Sequence, residues 1–308
     1  MNATPSPEVE IRPFTSSEIP VFTAWFNALP SNHVWTDEFV RSRTVDDPAY
    51  DAELMLVALH EGEPAGFLLG SLANGAGWIR AFIVHPNLRR QGIGSRLFSV
   101  FEQTLRDRRI VDITVGWAIP RYFLPGIDVA YTSAIVFLER LGYQTDRAAR
   151  VNMDVELAGQ GFSTSGHEAI LRAKGVTVRR AASGDAQRIY ALCESQDHAG
   201  WVAETAMGLQ RRPPTLHIAL KDGRVIAFAA HSICGPRHFG PMLTDAGLRG
   251  LGIGSVLLKR CLLDWQRQGL TRCEISWTGP IPFYARAVGA TMGRVFWSFH
   301  KSLQDEDA

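Results

Sequence analysis

Two short stretches carry the residue types from which a phosphate site is built. Arg89-Arg90-Gln91-Gly92-Ile93-Gly94-Ser95 and Arg249-Gly250-Leu251-Gly252-Ile253-Gly254-Ser255 each follow an apolar, β-prone run and lead at once into an amphipathic segment. Glycine reaches left-handed backbone angles without steric cost and lets a ligand approach the main chain closely. Amides at a helix start lack intrahelical partners, and the helix dipole favours negative charge there. Both loops are therefore expected to cradle phosphate. Arg89 and Arg249 either contact that phosphate or brace their own loop.

Two familiar phosphate-binding patterns do not fit. A nucleotide P-loop needs Lys-Ser/Thr after its last glycine, whereas Gly94 and Gly254 are each followed by Ser without Lys. A dinucleotide fingerprint needs Gly-x-Gly-x-x-Gly. Gly92-Ile93-Gly94-Ser95-Arg96-Leu97 lacks the third glycine, and Gly250, Gly252 and Gly254 are wrongly spaced.

The elements that must position the loops repeat along the chain. Ile11 to Glu18 aligns with Val178 to Asp185, each a short strand followed by Ser and an acid that can cap a helix start. Val57-Ala58-Leu59-His60-Glu61-Gly62 aligns with Ile218-Ala219-Leu220-Lys221-Asp222-Gly223, apolar runs around a glycine turn that read as hairpins. The two glycine loops match at an offset of 160 residues, and Leu141-Gly142-Tyr143 matches Val288-Gly289-Ala290. Four matches in one order indicate duplication with changes in loop length. Trp78 to His85 and Phe239 to Thr244 read as the strands before the loops, Ser95 to Arg106 and Ser255 to Gln266 as the helices after them, and Ile110 to Trp117 and Arg272 to Trp277 as the next strands. Gly159 to Gly175, rich in Gly, Ser and Thr, reads as a linker. The expected organisation is a first domain over 1–158, a linker over 159–175 and a second domain over 176–308, both mixed α/β.

Composition narrows the function classes. The 308 residues hold 32 Lys+Arg against 31 Asp+Glu, a formal charge of +1, which offers no surplus for a nucleic acid. Length and an apolar fraction of 46% suit two packed domains. No apolar run reaches the roughly 18–20 residues of a membrane helix. The start, Met1 to Glu10, lacks a signal-peptide pattern. All four cysteines, Cys193, Cys234, Cys261 and Cys273, lie in the second half without a CxxC pair, so reduced packing cysteines and a cytoplasmic protein are expected. His231, His238 and His300 lack metal-ligand spacing, and no metal is expected. The acidic tail from Gln304 reads as solvated.

Ile83-Val84-His85-Pro86-Asn87-Leu88-Arg89-Arg90-Gln91-Gly92-Ile93-Gly94 resembles motif A of the GNAT superfamily of N-acetyltransferases, and Leu243 to Gly254 matches it with Ala246 in place of the Pro. The likeness covers nearly the whole chain and implies a tandem protein. Its fold would be α/β (an α+β mixed sheet), with two GNAT-like domains, each a central, mostly antiparallel sheet flanked by helices. The resemblance implies that the loop amides bind the pyrophosphate of acetyl-CoA as co-substrate, and that an acetyl group passes directly to the amine of a small molecule. A non-catalytic acyl-CoA-binding sensor is the alternative. The expected partners include neither nucleic acid nor membrane, and the chain is a monomer or a homodimer.

The family's second signature is a helix of the form A-x-x-x-Y-x-x-x-G-F, whose Tyr often protonates the departing thiolate. Phe283-Tyr284-Ala285-Arg286-Ala287-Val288-Gly289-Ala290 keeps the Tyr; Ala134 to Tyr143 has Leu138 there, with Tyr122 and Tyr131 as spatial substitutes. The second copy is therefore expected to carry the reaction, with Tyr284 as acid. A backbone N–H at Leu243 or Thr244, or at Ile83 or Val84 in the first copy, would polarise the acetyl carbonyl. A protonated amine needs a base, and Glu204, Asp245 and Glu274 are candidates. Trp25, Trp35, Trp201, Trp277 and Trp297 read as core or cleft walls. Arg121 to Asp128, which lengthens the first copy, is either a surface loop or a turn over the cleft.

Overall fold

Three two-residue turns set the framework. Glu61-Gly62, Asn74-Gly75 and Asp222-Gly223 hold left-handed angles at both positions, with φ between +51° and +82°. That geometry matches the twist of two antiparallel strands. The protein is described here from a computed structural model covering residues 9–31, 34–118 and 121–304. Most of the N-terminal stretch and the last four residues of the acidic tail lie outside those residues.

The chain forms two units, Met1–Arg150 with Val295–Ala308 and Val151–Arg294. The first contains β1 (Val9–Pro13), α1 (Ile19–Asn27), α2 (Asp37–Arg41), β2 (Met55–His60), β3 (Glu63–Ala73), β4 (Ala76–Val84), α3 (Ile93–Asp107), β5 (Asp112–Val115), β6 (Ile127–Asp128) and α4 (Thr132–Arg140). The second is built from β7 (Arg150–Glu156), α5 (Ser165–Ala173), β8 (Thr177–Arg180), α6 (Ala186–Ser195), α7 (Trp201–Gln210), β9 (Leu216–Lys221), β10 (Arg224–His231), β11 (His238–Thr244), α8 (Ile253–Arg267), β12 (Arg272–Thr278), α9 (Ile281–Val288) and most of β13 (Thr291–Trp297). The last strand, β14 (Phe299–Ser302), belongs to the first unit.

In the first unit the strand order is β1-β2-β3-β4-β5-β14, antiparallel except for β4 with β5. Phe98, Phe101 and Leu105 of α3 pack one face of this sheet with Leu56 and Leu68. Phe22, Trp35 and Phe39 cover the other face with Phe67. In the second unit the order is β13-β7-β12-β11-β10-β9-β8, with β11 and β12 parallel.

The unit boundaries differ from the sequence expectation of 1–158, 159–175 and 176–308. β14, at the end of the second copy, pairs with β5 of the first sheet, while β7, at the end of the first copy, pairs with β12 of the second. Each sheet thus takes its strand beside the parallel pair from the other copy's sequence. Alternating side chains mark a segment as a strand but do not say which sheet edge it joins. The stretch read as a linker contains α5. That helix is held to the second unit by buried Leu171 and by a two-pronged Glu168–Arg260 ion pair with bonds of 2.8 and 2.7 Å.

The repeated helix starts share one device. Glu18 accepts the Thr15 N–H at 2.7 Å and pairs with Arg12 at 2.8 Å. Asp185 accepts the Ala182 N–H at 2.8 Å and pairs with Arg179 at 2.6 Å. Burial alone would raise the Glu18 pKa, but donation from Arg12, Ser17 and Thr15 outweighs it and holds the carboxyl at about 2. A depressed carboxylate pKa stabilises the fold above the unfolded value and loses that contribution as pH falls through the folded one. Stability should therefore drop between about pH 4.5 and about 2. In Glu18→Gln, urea unfolding followed across that range should show a shallower decline.

Candidate functional site

Each unit opens where one strand leaves its neighbour. β4 pairs with β5 only over Gly77–Ile79 against Ile113–Val115, and β11 with β12 only at His238 and Phe239 against Glu274 and Ile275. The cause is local. Arg80 is an extra residue in β4, because Ile79 and Ala81 face adjacent residues of β3. In β11 the register shifts across Gly240-Pro241. A bulge bends its strand and raises the local twist, so β4 and β11 turn away from their parallel partners.

The ladder decides which backbone groups lie along that opening. His85 N–H donates to the Ala65 carbonyl at 3.0 Å, and Asp245 N–H to the Ile226 carbonyl at 2.9 Å. Alternation along an antiparallel strand then turns the amides of Ile83 and Leu243 into the sheet, and those of Val84 and Thr244 toward the gap. Of the two pairs taken from sequence, Val84 and Thr244 are the members that face the opening.

The glycine loops follow directly. Arg90 and Gly92 hold φ of +66° and +85°; Gly250 and Gly252 hold +85° and +81°. Left-handed residues at alternate positions turn successive N–H groups to one side, a concave anion-binding nest. The earliest amides bonded back into the helices are Arg96 N–H to the Gly92 carbonyl at 3.0 Å and Val256 N–H to the Gly252 carbonyl at 3.2 Å. Ile93 and Ile253 anchor the two helix starts in the core, while Arg89, Arg90, Gln91, Gly92 and Ser95 are exposed and Leu251 and Ser255 half-buried. A Cβ on Gly92 would meet nothing within 4 Å, which leaves room for a ligand. Arg89 Nε donates to the Val84 carbonyl at 3.1 Å and Arg249 Nε to the Thr244 carbonyl at 3.4 Å, so both arginines brace the loop against the strand end.

The second glycine of each loop fixes the correspondence between the copies. A Cβ on Gly94 would lie 3.1 Å from Phe137 of α4, and one on Gly254 would lie 3.4 Å from Phe283 of α9. Phe137 and Phe283 are thus equivalent, and so are Leu138 and Tyr284. Tyr284 is 6% exposed, and its ring meets Phe239 edge-on at 6.1 Å and Phe283 at 4.9 Å. Burial raises its hydroxyl pKa well above the ordinary value, so the phenol stays protonated at neutral pH. Leu138 is fully buried in the apolar core. The Tyr131 hydroxyl bonds Ser31, and Tyr122 packs into the interior.

The three base candidates separate. Asp245 caps the turn before its loop by accepting the Gly247 N–H at 3.0 Å, and Glu204 is buried on α7. Glu274 stands half-buried on β12, opposite His238 in the two-residue stretch paired with β11, and its carboxylate accepts from Asn152 Nδ2. Asn152 carries no sequence signal; only the strand exchange brings it there. The lengthened segment of the first copy is packed, not draped over the surface. Phe123 is in the core, and Arg121 reaches Asp47, which also takes Arg80 at 2.5 Å. In the second unit, buried Asp264 accepts from His217 at 2.8 Å, His231 at 3.2 Å and Arg180 at 2.6 Å. This network ties α8 to the sheet. Trp35 lies in the core, Trp25 meets Phe67 and His85, and Trp201 stacks on His198. Among the described residues no cluster of three or more His, Cys, Asp or Glu could hold a metal, and no helix is long and apolar enough to cross a membrane.

The model of the acetyltransferase (GNAT) family matches residues 21–143 and 178–290. A search of curated proteins returned no match. Among solved structures, a glucosamine N-acetyltransferase region of a fungal multi-domain β-N-acetylglucosaminidase superposes with a TM-score of 0.74 at 17% identity. The match covers 97% of this chain and 39% of that one. A GCN5-related N-acetyltransferase from Sphaerobacter thermophilus gives 0.69 at 19% identity, covering 96% of each chain. A tandem GNAT protein from the clavulanic acid biosynthesis pathway gives 0.70 at 15%, covering 97% of this chain and 100% of that one. These likenesses establish the fold.

The loop geometry sets different tolerances for two of its glycines. Gly250 has open space around a Cβ, and Arg90 adopts the same left-handed angles in the other copy. Gly250→Ala should cost about 1 kcal/mol. Gly254→Val should cost more, because its side chain must displace Met242, 3.2 Å from the Cβ, and Phe283. Urea unfolding of the two variants measures the difference, and equal costs would contradict this packing.

Proposed function

This chain belongs to the acetyltransferase (GNAT) family, and from that premise we propose that it moves an acetyl group from acetyl-CoA directly to the amine of a small molecule, with the second unit carrying the reaction. The observation that carries this reading is the pairing of an intact glycine loop with a buried tyrosine that has no counterpart in the first unit. Acetyl-CoA supplies the acetyl group on a thioester. The residues present suit it: the amides from Gly250 to Ser255, which precede the first helical bond at Val256, for the pyrophosphate, and the Thr244 N–H for the carbonyl oxygen.

The chain's own part in the reaction then follows. Thr244 orients and polarises the carbonyl from the strand edge. Tyr284, kept protonated by burial, donates its Oη proton to the departing sulfur. The first unit shares the loop but has Leu138 in place of the phenol, which supports acyl-CoA binding without turnover there.

Thiol release from acetyl-CoA in the presence of an amino sugar, a polyamine, an amino-acid derivative and an aminoglycoside tests the reading. The protein's own cysteines are buried free thiols, and burial holds that of Cys193 at about 11, so a thiol reagent reports the released CoA. Tyr284→Phe should lower turnover about 10²-fold and leave acetyl-CoA affinity unchanged. Unchanged turnover removes Tyr284 from the role of acid.

A further inference from the structure

We propose that Glu274 is the carboxylate that takes the ammonium proton of the acceptor, and that Asn152 holds it in position; the assignment rests on reading the second unit as the transferase. His238 of β11, Glu274 of β12 and Asp154 of β7 are direct cross-strand neighbours, and residues directly opposite each other project from one face of a sheet. The row stands one position before the last pair, Phe239 with Ile275, beyond which β11 and β12 separate. The same row in the first unit is Trp78, Thr114 and His300. The copy with a phenol at the helix position therefore also has a carboxylate one position before the strands part. The copy with Leu138 has Thr114 there and no acid.

The faces are complementary. Ile113 and Val115 of β5 pack beneath α3, so Thr114 points to the opposite side. In the second unit, Cys273 and Ile275 are buried while Glu274 and Ser276 alternate with them; Cys273 lies close enough to Cys261 of α8 to raise its pKa. Glu274 thus projects from the face away from α8. Tyr284 packs on Phe283, whose ring abuts Gly254 at the start of α8. The amine is deprotonated on one side of the opening and the sulfur is protonated from the other.

Asn152 is 1% exposed and makes two directional bonds: its Nδ2 donates to Glu274 Oε1, and its Oδ1 accepts the Trp277 N–H at 2.7 Å. Trp277 has φ of +42°, and the register between β12 and β7 slips between Ile275 and Thr278. Asn152 therefore pins the irregular strand end and holds the carboxylate at once. The charged and titratable neighbours of this row are Asp154 and Glu156 on β7, Arg272 on β12, Arg294 on β13 and His238 on β11. Arg272 is paired with Glu156 at 2.8 Å and with Asp154 at 3.6 Å. His238 Nδ1 shares a hydrogen with Ser276 Oγ at 2.6 Å.

Glu274 accepts one proton from the ammonium and releases it to solvent. The nitrogen lone pair forms the N–C bond as the C–S bond breaks. The thiolate takes the Tyr284 proton, and the second N–H proton returns to the phenolate.

The test is the pH profile of kcat/KM with acetyl-CoA and, in parallel, D-glucosamine, spermidine and glycinamide. Glu274→Gln should lose about 10²-fold near pH 7 and recover about tenfold per pH unit as the free amine is supplied by solvent alone. Asn152→Ala should move the acid limb and lower kcat with little change in KM, a shift that loss of packing alone does not produce. Transfer that is unchanged in Glu274→Gln overturns this assignment and leaves the transferase reading standing. No transfer to any of the three amines by the wild type, with acetyl-CoA bound, overturns the transferase reading and this assignment with it.

Discussion

Everything at the candidate site depends on two parallel strands that part after two or three residue pairs. A β-strand that leaves its neighbour exposes a row of backbone groups that the sheet would otherwise satisfy. In this protein the departure is built in by one extra residue at Arg80 and by the shift across Gly240-Pro241. The opened edge turns the Val84 and Thr244 amides outward. The same strand end then delivers the chain into a loop whose left-handed residues turn further amides to one side, at the positive end of a long helix. Strand edge and glycine loop thus supply two sets of donors, separated by a short turn whose own amides are bonded within the chain.

Duplication has kept that arrangement and let the surrounding side chains diverge. From residue 81 to 90 and from 241 to 250 the order of buried, half-buried and exposed positions is identical. Arg89 and Arg249 make the same brace to the strand end. Around this shared frame, Leu138 stands against Tyr284 and Thr114 against Glu274. Both substitutions remove a proton-carrying group from the first unit, and both leave its loop intact. The exchange of β7 and β14 makes the units interdependent in sequence, since neither sheet is complete without a strand from beyond its own copy.

Much of this was legible in the sequence because it rests on local chemistry. The glycine loops, the hairpin turns and the amphipathic helices after the loops follow from short-range rules, and the order of matches exposed the duplication. What the sequence did not reveal depends on pairing at a distance. A segment such as Arg150–Glu156 reads as a strand in either sheet, so the domain boundary fell elsewhere and Asn152 went unnoticed beside Glu274. α5 hid in a stretch rich in Gly, Ser and Thr because its stability comes from Leu171 and Arg260, not from its own composition. The choice among Glu204, Asp245 and Glu274 needed the register, since one acid caps a turn, one is buried on a helix and one stands beside the gap.

Calorimetric titration with acetyl-CoA tests the central claim, that each unit carries its own anion cradle at the glycine loop. Glutamate at Gly92 or Gly252 places a carboxylate in the nest, where a Cβ has no neighbour within 4 Å at Gly92 and one at 3.8 Å at Gly252. The wild type should bind acetyl-CoA at two sites, and each of Gly92→Glu and Gly252→Glu at one. No heat in the wild type, or loss of both sites in a single variant, contradicts it.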